Sequence, residues 1–205
     1  MDVSRPLTAV IPSLEGPVLE VLAGTSRALT GREIHRLTGT GSESGVRLVL
    51  NRLVEHGLVH ATRAGRATLY VANRDHIAWP AVRALTELRH DLFGRLRRLT
   101  MSWEIEPTTV AVFGSAARGD GNVDSDIDIL IVHRTPDEPR WTNQVDTLRE
   151  SVLAWTGNHC QVYDITDTDF ARHVTTGEAI VDEWRQDAVV VFGTPLDRLI
   201  RKEPH

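Results

Sequence analysis

Two aspartates one residue apart, Asp126 and Asp128, stand at the head of an apolar run, Ile129 to Val132. In a strand, alternate side chains share a face, so both carboxylates point one way while Ile127 and Ile129 point the other. Neighbouring carboxylates repel each other, and a cation between them relieves the repulsion. Oxygen ligands of this kind suit magnesium, or manganese in its place, which takes a few carboxylates together with substrate phosphates. Upstream, the apolar run Val110 to Phe113 leads into Gly114-Ser115, and ten residues separate that pair from Asp126. Glycine lets a backbone approach a ligand closely, and the amide and hydroxyl of Ser115 can hold a phosphate oxygen.

Glycine-serine, ten residues, then Asp-x-Asp resembles the signature of the polymerase-beta-like nucleotidyltransferases, most of all the small bacterial minimal nucleotidyltransferases. The surrounding Gly114-Ser115-Ala116-Ala117-Arg118-Gly119 and Asp124-Ser125-Asp126-Ile127-Asp128-Ile129 carry the likeness, which spans about residues 95–193. The resemblance implies that Asp126 and Asp128 hold a magnesium–nucleoside triphosphate, with Gly114, Ser115 and Arg118 at its phosphates. An acceptor hydroxyl would attack the alpha phosphorus and pyrophosphate would leave. The family supplies a third carboxylate from a later strand. Here Cys160-Gln161-Val162-Tyr163-Asp164-Ile165 offers two placements. One puts Gln161, a poor magnesium ligand, at that position. The other makes Asp164, three residues on and facing the opposite side, the third catalytic carboxylate. Asp124 is expected in the loop before the strand.

Such residues need a scaffold. The chain has 205 residues, a net charge of −5 and 41% hydrophobic residues, which suits one large or two small globular domains. Residues 1–75 carry nine basic and seven acidic side chains, for +2, and the remainder carries −7. The mean charge therefore describes neither part, and a simple, strongly basic nucleic-acid binder is excluded. A single cysteine, Cys160, excludes an internal disulfide and a multi-cysteine zinc site. Of the 23 basic residues only Lys202 is lysine, a bias best ascribed to a GC-rich genome. The opening residues lack the pattern of a signal peptide and no run is long enough to span a membrane, so a cytoplasmic protein with no membrane partner is expected.

The first part reads helix, helix, helix, strand, turn, strand. Thr30-Gly31-Arg32-Glu33 is a capping box, and Val46, Val49, Leu50, Leu53 and Val54 follow the helical period up to Gly57. Leu58–Arg63 and Thr68–Val71 form a hairpin around Ala64-Gly65-Arg66-Ala67. That order, with Leu50-Asn51-Arg52-Leu53-Val54-Glu55-His56-Gly57-Leu58-Val59, resembles the winged helix-turn-helix of bacterial transcription regulators over about residues 12–75. The resemblance implies double-stranded DNA as a partner. Ser42, Ser44, Arg47 and Asn51 lie opposite the apolar stripe, where arginine and asparagine can reach base edges. Arg63 and Arg66 sit where a wing would meet phosphates.

The expected fold is α+β in two domains: a winged helix over 1–75, a linker helix over 76–104, and a nucleotidyltransferase-like mixed sheet with flanking helices over 105–205. Leu85, Leu88, Leu92, Leu96 and Leu99 give the linker an apolar seam. It is read as packing on the catalytic domain, with a homodimer seam as the second reading. Three functions stay open. One is a magnesium-dependent nucleotidyltransferase acting on a protein, such as a toxin partner, or on another hydroxyl. Another is a non-catalytic transcription regulator whose degenerate transferase domain binds nucleotide or a protein. The third is a protein-interaction module whose winged helix binds no DNA.

Overall fold

The computed structural model describes residues 1–134 and 138–202. Its contacts divide the chain into two compact units, one over Arg5–Leu88 and one formed by Met1–Ser4 with the residues from Arg89 onward.

The first unit runs α1 (Pro6–Val10), α2 (Glu15–Ala23), β1 (Leu29–Thr30), α3 (Gly31–Thr38), α4 (Glu43–Glu55), β2 (Val59–Ala64), β3 (Ala67–Ala72) and α5 (Trp79–Thr86). Thr30 opens α3 as expected. Its hydroxyl accepts from the Glu33 amide, and the Glu33 carboxylate accepts from the Thr30 amide in return. Glycine in the left-handed region at Gly39 ends α3, since no L side chain adopts that conformation without cost. Ser42 caps α4 by accepting from Gly45 N. Val46, Val49, Leu50 and Leu53 then bury one stripe of α4 against Leu22, Leu29 and Ile34. Each fully buried leucine contributes about 1.5–3 kcal/mol, which locks the helices to the sheet. β3 pairs antiparallel with both β2 and β1, and the two-residue β1 is an addition to the expected hairpin.

The second unit runs α6 (Leu88–Met101), β4 (Thr109–Phe113), α7 (Gly114–Arg118), β5 (Ile127–His133), α8 (Pro139–Thr156), β6 (Cys160–Thr166), α9 (Asp167–Thr176), α10 (Ala179–Asp187), β7 (Val189–Gly193) and α11 (Leu196–Lys202). The strands order as β6-β5-β4-β7, with β5 and β6 parallel and the other pairs antiparallel. This is the expected mixed sheet. Period-two alternation gives it two apolar faces. Val110, Val112, Ile127, Ile129 and Ile131 bury against Leu92, Leu96, Trp141 and Leu148 of α6 and α8. Ala111, Phe113, Leu130 and Val132 bury against Phe170, Val181, Trp184 and Leu196 of α9, α10 and α11.

The linker helix expected over 76–104 is two helices, α5 and α6. Glu87 closes α5 with its amide on the Arg83 and Ala84 carbonyls, in place of continuing the i to i−4 pattern alone. The leucine seam divides with it: Leu85 packs on the core of the first unit, while Leu92 and Leu96 are buried in that of the second. Among the described residues no helix is long and apolar enough to cross a membrane.

Candidate functional site

Phe113 ends β4 in extended backbone, and Gly114 turns the chain at φ +64° into the single turn of α7. Phe113 pairs with Asp128 on β5, so the turn closes directly over that carboxylate. A Cβ on Gly114 would stand 2.6 Å from Asp128 Oδ2. Both the positive φ and the close approach therefore require glycine here. Asp126 and Asp128 alternate with Ile127 and Ile129, which are buried on the α6 and α8 side. Asp128 thus faces the α10 side of the sheet, and Asp126, the residue before β5, meets Gln161 there.

Asp128 is half-buried, and its carboxyl is held above the ordinary aspartate value. Burial is the largest cause, followed by the negative charges of Asp126 and Glu183, with Arg118 acting in the opposite direction. Glu183 lies on α10, a position that strand motifs could not reveal. Opposite Ile127 in the register and packed on the α8-side core, the Cys160 thiol is pushed up to about 12 by burial.

The loop from Gly119 to Ser125 is held from several sides. Ser115 O accepts from Gly119 N at 2.9 Å, and Asn122 N donates to Ser125 Oγ at 2.9 Å. Buried Asn158 donates through Nδ2 to Ser125 O at 2.8 Å and to Val123 O at 3.3 Å, steadying the approach to Asp126. Asp124 is exposed in this loop, as expected. Ser115 Oγ faces Gly121, where an added Cβ would sit 3.0 Å away. Arg118, expected at phosphate, is engaged within the protein. Its Nε donates to Asp120 at 3.0 Å and its Nη1 to nearly buried Asp187 at 2.5 Å. Arg89, which the motif does not include, donates to the Ala117 carbonyl at 2.5 Å and braces the end of α7.

Asp164 is not brought to the pair, which corrects its expected place as third carboxylate. In the parallel register Asp128 sits opposite Gln161 and Ile131 opposite Asp164. Strand alternation then turns Asp164 to the α8 side, where Trp141 Nε1 donates to it at 2.9 Å and His133 Nε2 lies at 3.3 Å. Gln161 takes the position beside the pair, and its Nε2 donates to Asp126 Oδ2 at 2.9 Å. Among the described residues no three His, Cys, Asp or Glu side chains converge as a metal-holding group.

In the first unit, Ser44, Arg47 and Asn51 are exposed on the outer face of α4, and Arg63 and Arg66 on the hairpin. Ser42 is also exposed, but its hydroxyl is committed to the cap and to Ser44 Oγ at 3.0 Å. Gly65, at φ +61°, makes the tight turn between the two arginines. A cleft of about 670 Å³ lies between the start of α4 and the hairpin, lined by Arg32, Ser44, Arg47, Arg66 and Thr68. Two residues outside the polar set read from the sequence also stand here: Arg32, known there only from the capping box, lines the cleft, and Leu48 is 68% exposed between Arg47 and Asn51. An apolar side chain inside a polar helix face was the available signal for Leu48.

Residues 97–155 match the family "Nucleotidyltransferase domain", and residues 11–103 match the family "Penicillinase repressor". No curated protein matches the chain. Among solved structures, a toxin–antitoxin crystallised with AMP-PNP aligns at 14% identity and a TM-score of 0.39, covering 54% of this chain and 82% of that one. A MarR-family transcriptional regulator from Rhodococcus sp. RHA1 aligns at 23% identity and a TM-score of 0.33, covering 46% of this chain and 66% of the regulator. The two family matches, with the helix order of the first unit and the mixed sheet of the second, identify the chain as a winged-helix regulator-type domain joined to a nucleotidyltransferase domain.

Proposed function

We propose that this protein binds double-stranded DNA through α4 and its hairpin, and that its second unit binds a nucleoside triphosphate with magnesium or manganese at Gly114, Asp126 and Asp128. In this reading it transfers a nucleoside monophosphate to a hydroxyl, on a protein or another acceptor. The observation that carries the proposal is the closure of Gly114 over Asp128, with Asp126, just before β5, bonded to the Gln161 that pairs with Asp128. These residues suit one hard divalent cation. Two oxygen donors lie close together, and the Asp128 carboxyl, raised first by burial and then by the charges of Asp126 and Glu183, is of the kind a cation stabilises. When bound, such an ion polarises the phosphoryl oxygens and neutralises charge on the departing pyrophosphate.

The protein's own groups do the rest. Gly114 carries no Cβ and leaves its backbone open to a phosphate. Ser115 supplies an amide and a hydroxyl as donors. Arg118, held by Asp120 and Asp187, stabilises the loop and lowers the cost of charge on Asp128. In the transfer, the acceptor oxygen bonds to the alpha phosphorus as the bond to the bridging oxygen breaks. The hydroxyl proton passes to solvent.

Incubation with each labelled nucleotide, magnesium and cell lysate tests this. Label should enter a macromolecule with the native protein and not with the Asp126→Ala, Asp128→Ala variant. Equal labelling by both would remove the transferase reading. Retardation of DNA from beside its own gene, weakening as salt rises, tests the other half. A second reading, a regulator that binds nucleotide without turning it over, is favoured by Gln161 standing on Asp126 in place of a carboxylate.

A further inference from the structure

Two-metal phosphoryl-transfer sites hold their ions a few ångströms apart and rely on several carboxylates to offset the repulsion between them. Of the acidic groups near Asp126 and Asp128, Asp124 is exposed in the loop before β5. Asp120 and Asp187 are both paired with Arg118. Asp164 belongs to Trp141 and His133 on the opposite face of the sheet. Glu183 raises the Asp128 carboxyl, yet among the described residues it does not complete a three-group cluster with the pair. The side chain beside Asp128 in the strand register is Gln161, a neutral amide, and its donor nitrogen already occupies Asp126 Oδ2. That hydrogen bond uses one lone pair of Asp126 Oδ2, and the amide brings no negative charge to offset a second ion.

We propose that Gln161 restricts the Asp126/Asp128 pair to a single divalent cation, so that the site holds a metal–nucleotide while transferring slowly. Gln161 is a positioning residue: it orients Asp126 through the hydrogen bond and withholds a second ion site. The inference rests on the metal–nucleotide reading above. It requires that exchanging the amide for a carboxylate of equal length creates the missing site. Gln161 is exposed, so Gln161→Glu adds no volume to a packed core.

Titration of the full chain with Mn²⁺, read by the paramagnetic resonance signal of the free ion, separates the outcomes. The native protein should take up one ion, Gln161→Glu a second, and Gln161→Ala only one, because it removes the amide without adding charge. Label transfer by Gln161→Glu should rise about tenfold, in line with the effect of groups that tune metal ligands. Gln161→Asp gives the same readout if the glutamate variant melts early. Two ions on the native protein, one ion on both acidic variants, or a second ion on Gln161→Ala would each overturn the proposal. If neither the native protein nor the acidic variants take up Mn²⁺, the metal–nucleotide reading itself fails.

Discussion

Arg47, Arg63 and Arg66 in the first unit stand exposed on α4 and the hairpin, and no hydrogen bond or ion pair within the described residues holds them. Arg118 and Arg89 in the second unit are spent on Asp120, Asp187 and the Ala117 carbonyl. A guanidinium carries the same five donors in either setting. Its role is decided by whether nearby acceptors already use them. The exposed set keeps its donors free, while the engaged set fixes the loop between Gly114 and Asp126. The −5 net charge conceals this division, because acidic side chains hold Arg118 in one unit but not Arg47, Arg63 and Arg66 in the other, where Arg27, Arg32 and Arg52 do have acidic partners.

The largest expected effect tests whether the two regions are chemically separate. Asp128→Asn should weaken binding of a magnesium–nucleotide by more than about a hundredfold, beyond the usual effect of losing a group behind the ligands. Calorimetry would measure it. DNA retardation by the same variant should be unchanged; a parallel loss of DNA would join the two sites and break the comparison. Next, Arg47→Ala should reduce DNA affinity about tenfold and flatten the salt dependence by about one ion, with no change in melting temperature.

Arg118→Ala should behave in the opposite way. It leaves nearly buried Asp187 without its partner, so the melting temperature should fall while DNA retardation persists. Asp187→Asn in the same background should recover part of that loss. If Arg47→Ala lowers the melting temperature as much as Arg118→Ala, the two sets of arginines are not distinct. The smallest effect concerns the frame that presents α4. Thr30→Ala removes the α3 cap and should cost about 1 kcal/mol in denaturant unfolding at neutral pH. Hydrogen bonds from Thr30, the backbone one first, hold the Glu33 carboxyl below its ordinary value of 4.5. The stabilisation from that lowered group is complete above 4.5 and fades as the pH falls through the lower folded value, so the gap between variant and native protein should narrow in acid.

Much of this was legible in the residues because it depends on local rules. The capping box at Thr30, the stripe Val46-Val49-Leu50-Leu53 and the Gly114-to-Asp128 spacing act over a few residues or through strand alternation, and the structure has each of them. The break at Glu87 was not legible. Leu85 and Leu92 satisfy one helical period in the sequence, and only their packing into different cores separates them. The roles of Arg118 and Glu183 were hidden as well, since both depend on α10, which the chain reaches more than fifty residues after the motif.

The sequence by itself determined which side chains could carry chemistry and which of them share a strand face, because alternation is a property of the backbone alone. It could not choose between Gln161 and Asp164, three residues apart on one strand. That choice belongs to the register of β6 on β5, which sets Gln161 opposite Asp128 and turns Asp164 toward Trp141. Register is a pairing between distant segments, selected by the burial of both sheet faces at once, so only the tertiary structure could decide which side chain meets the pair.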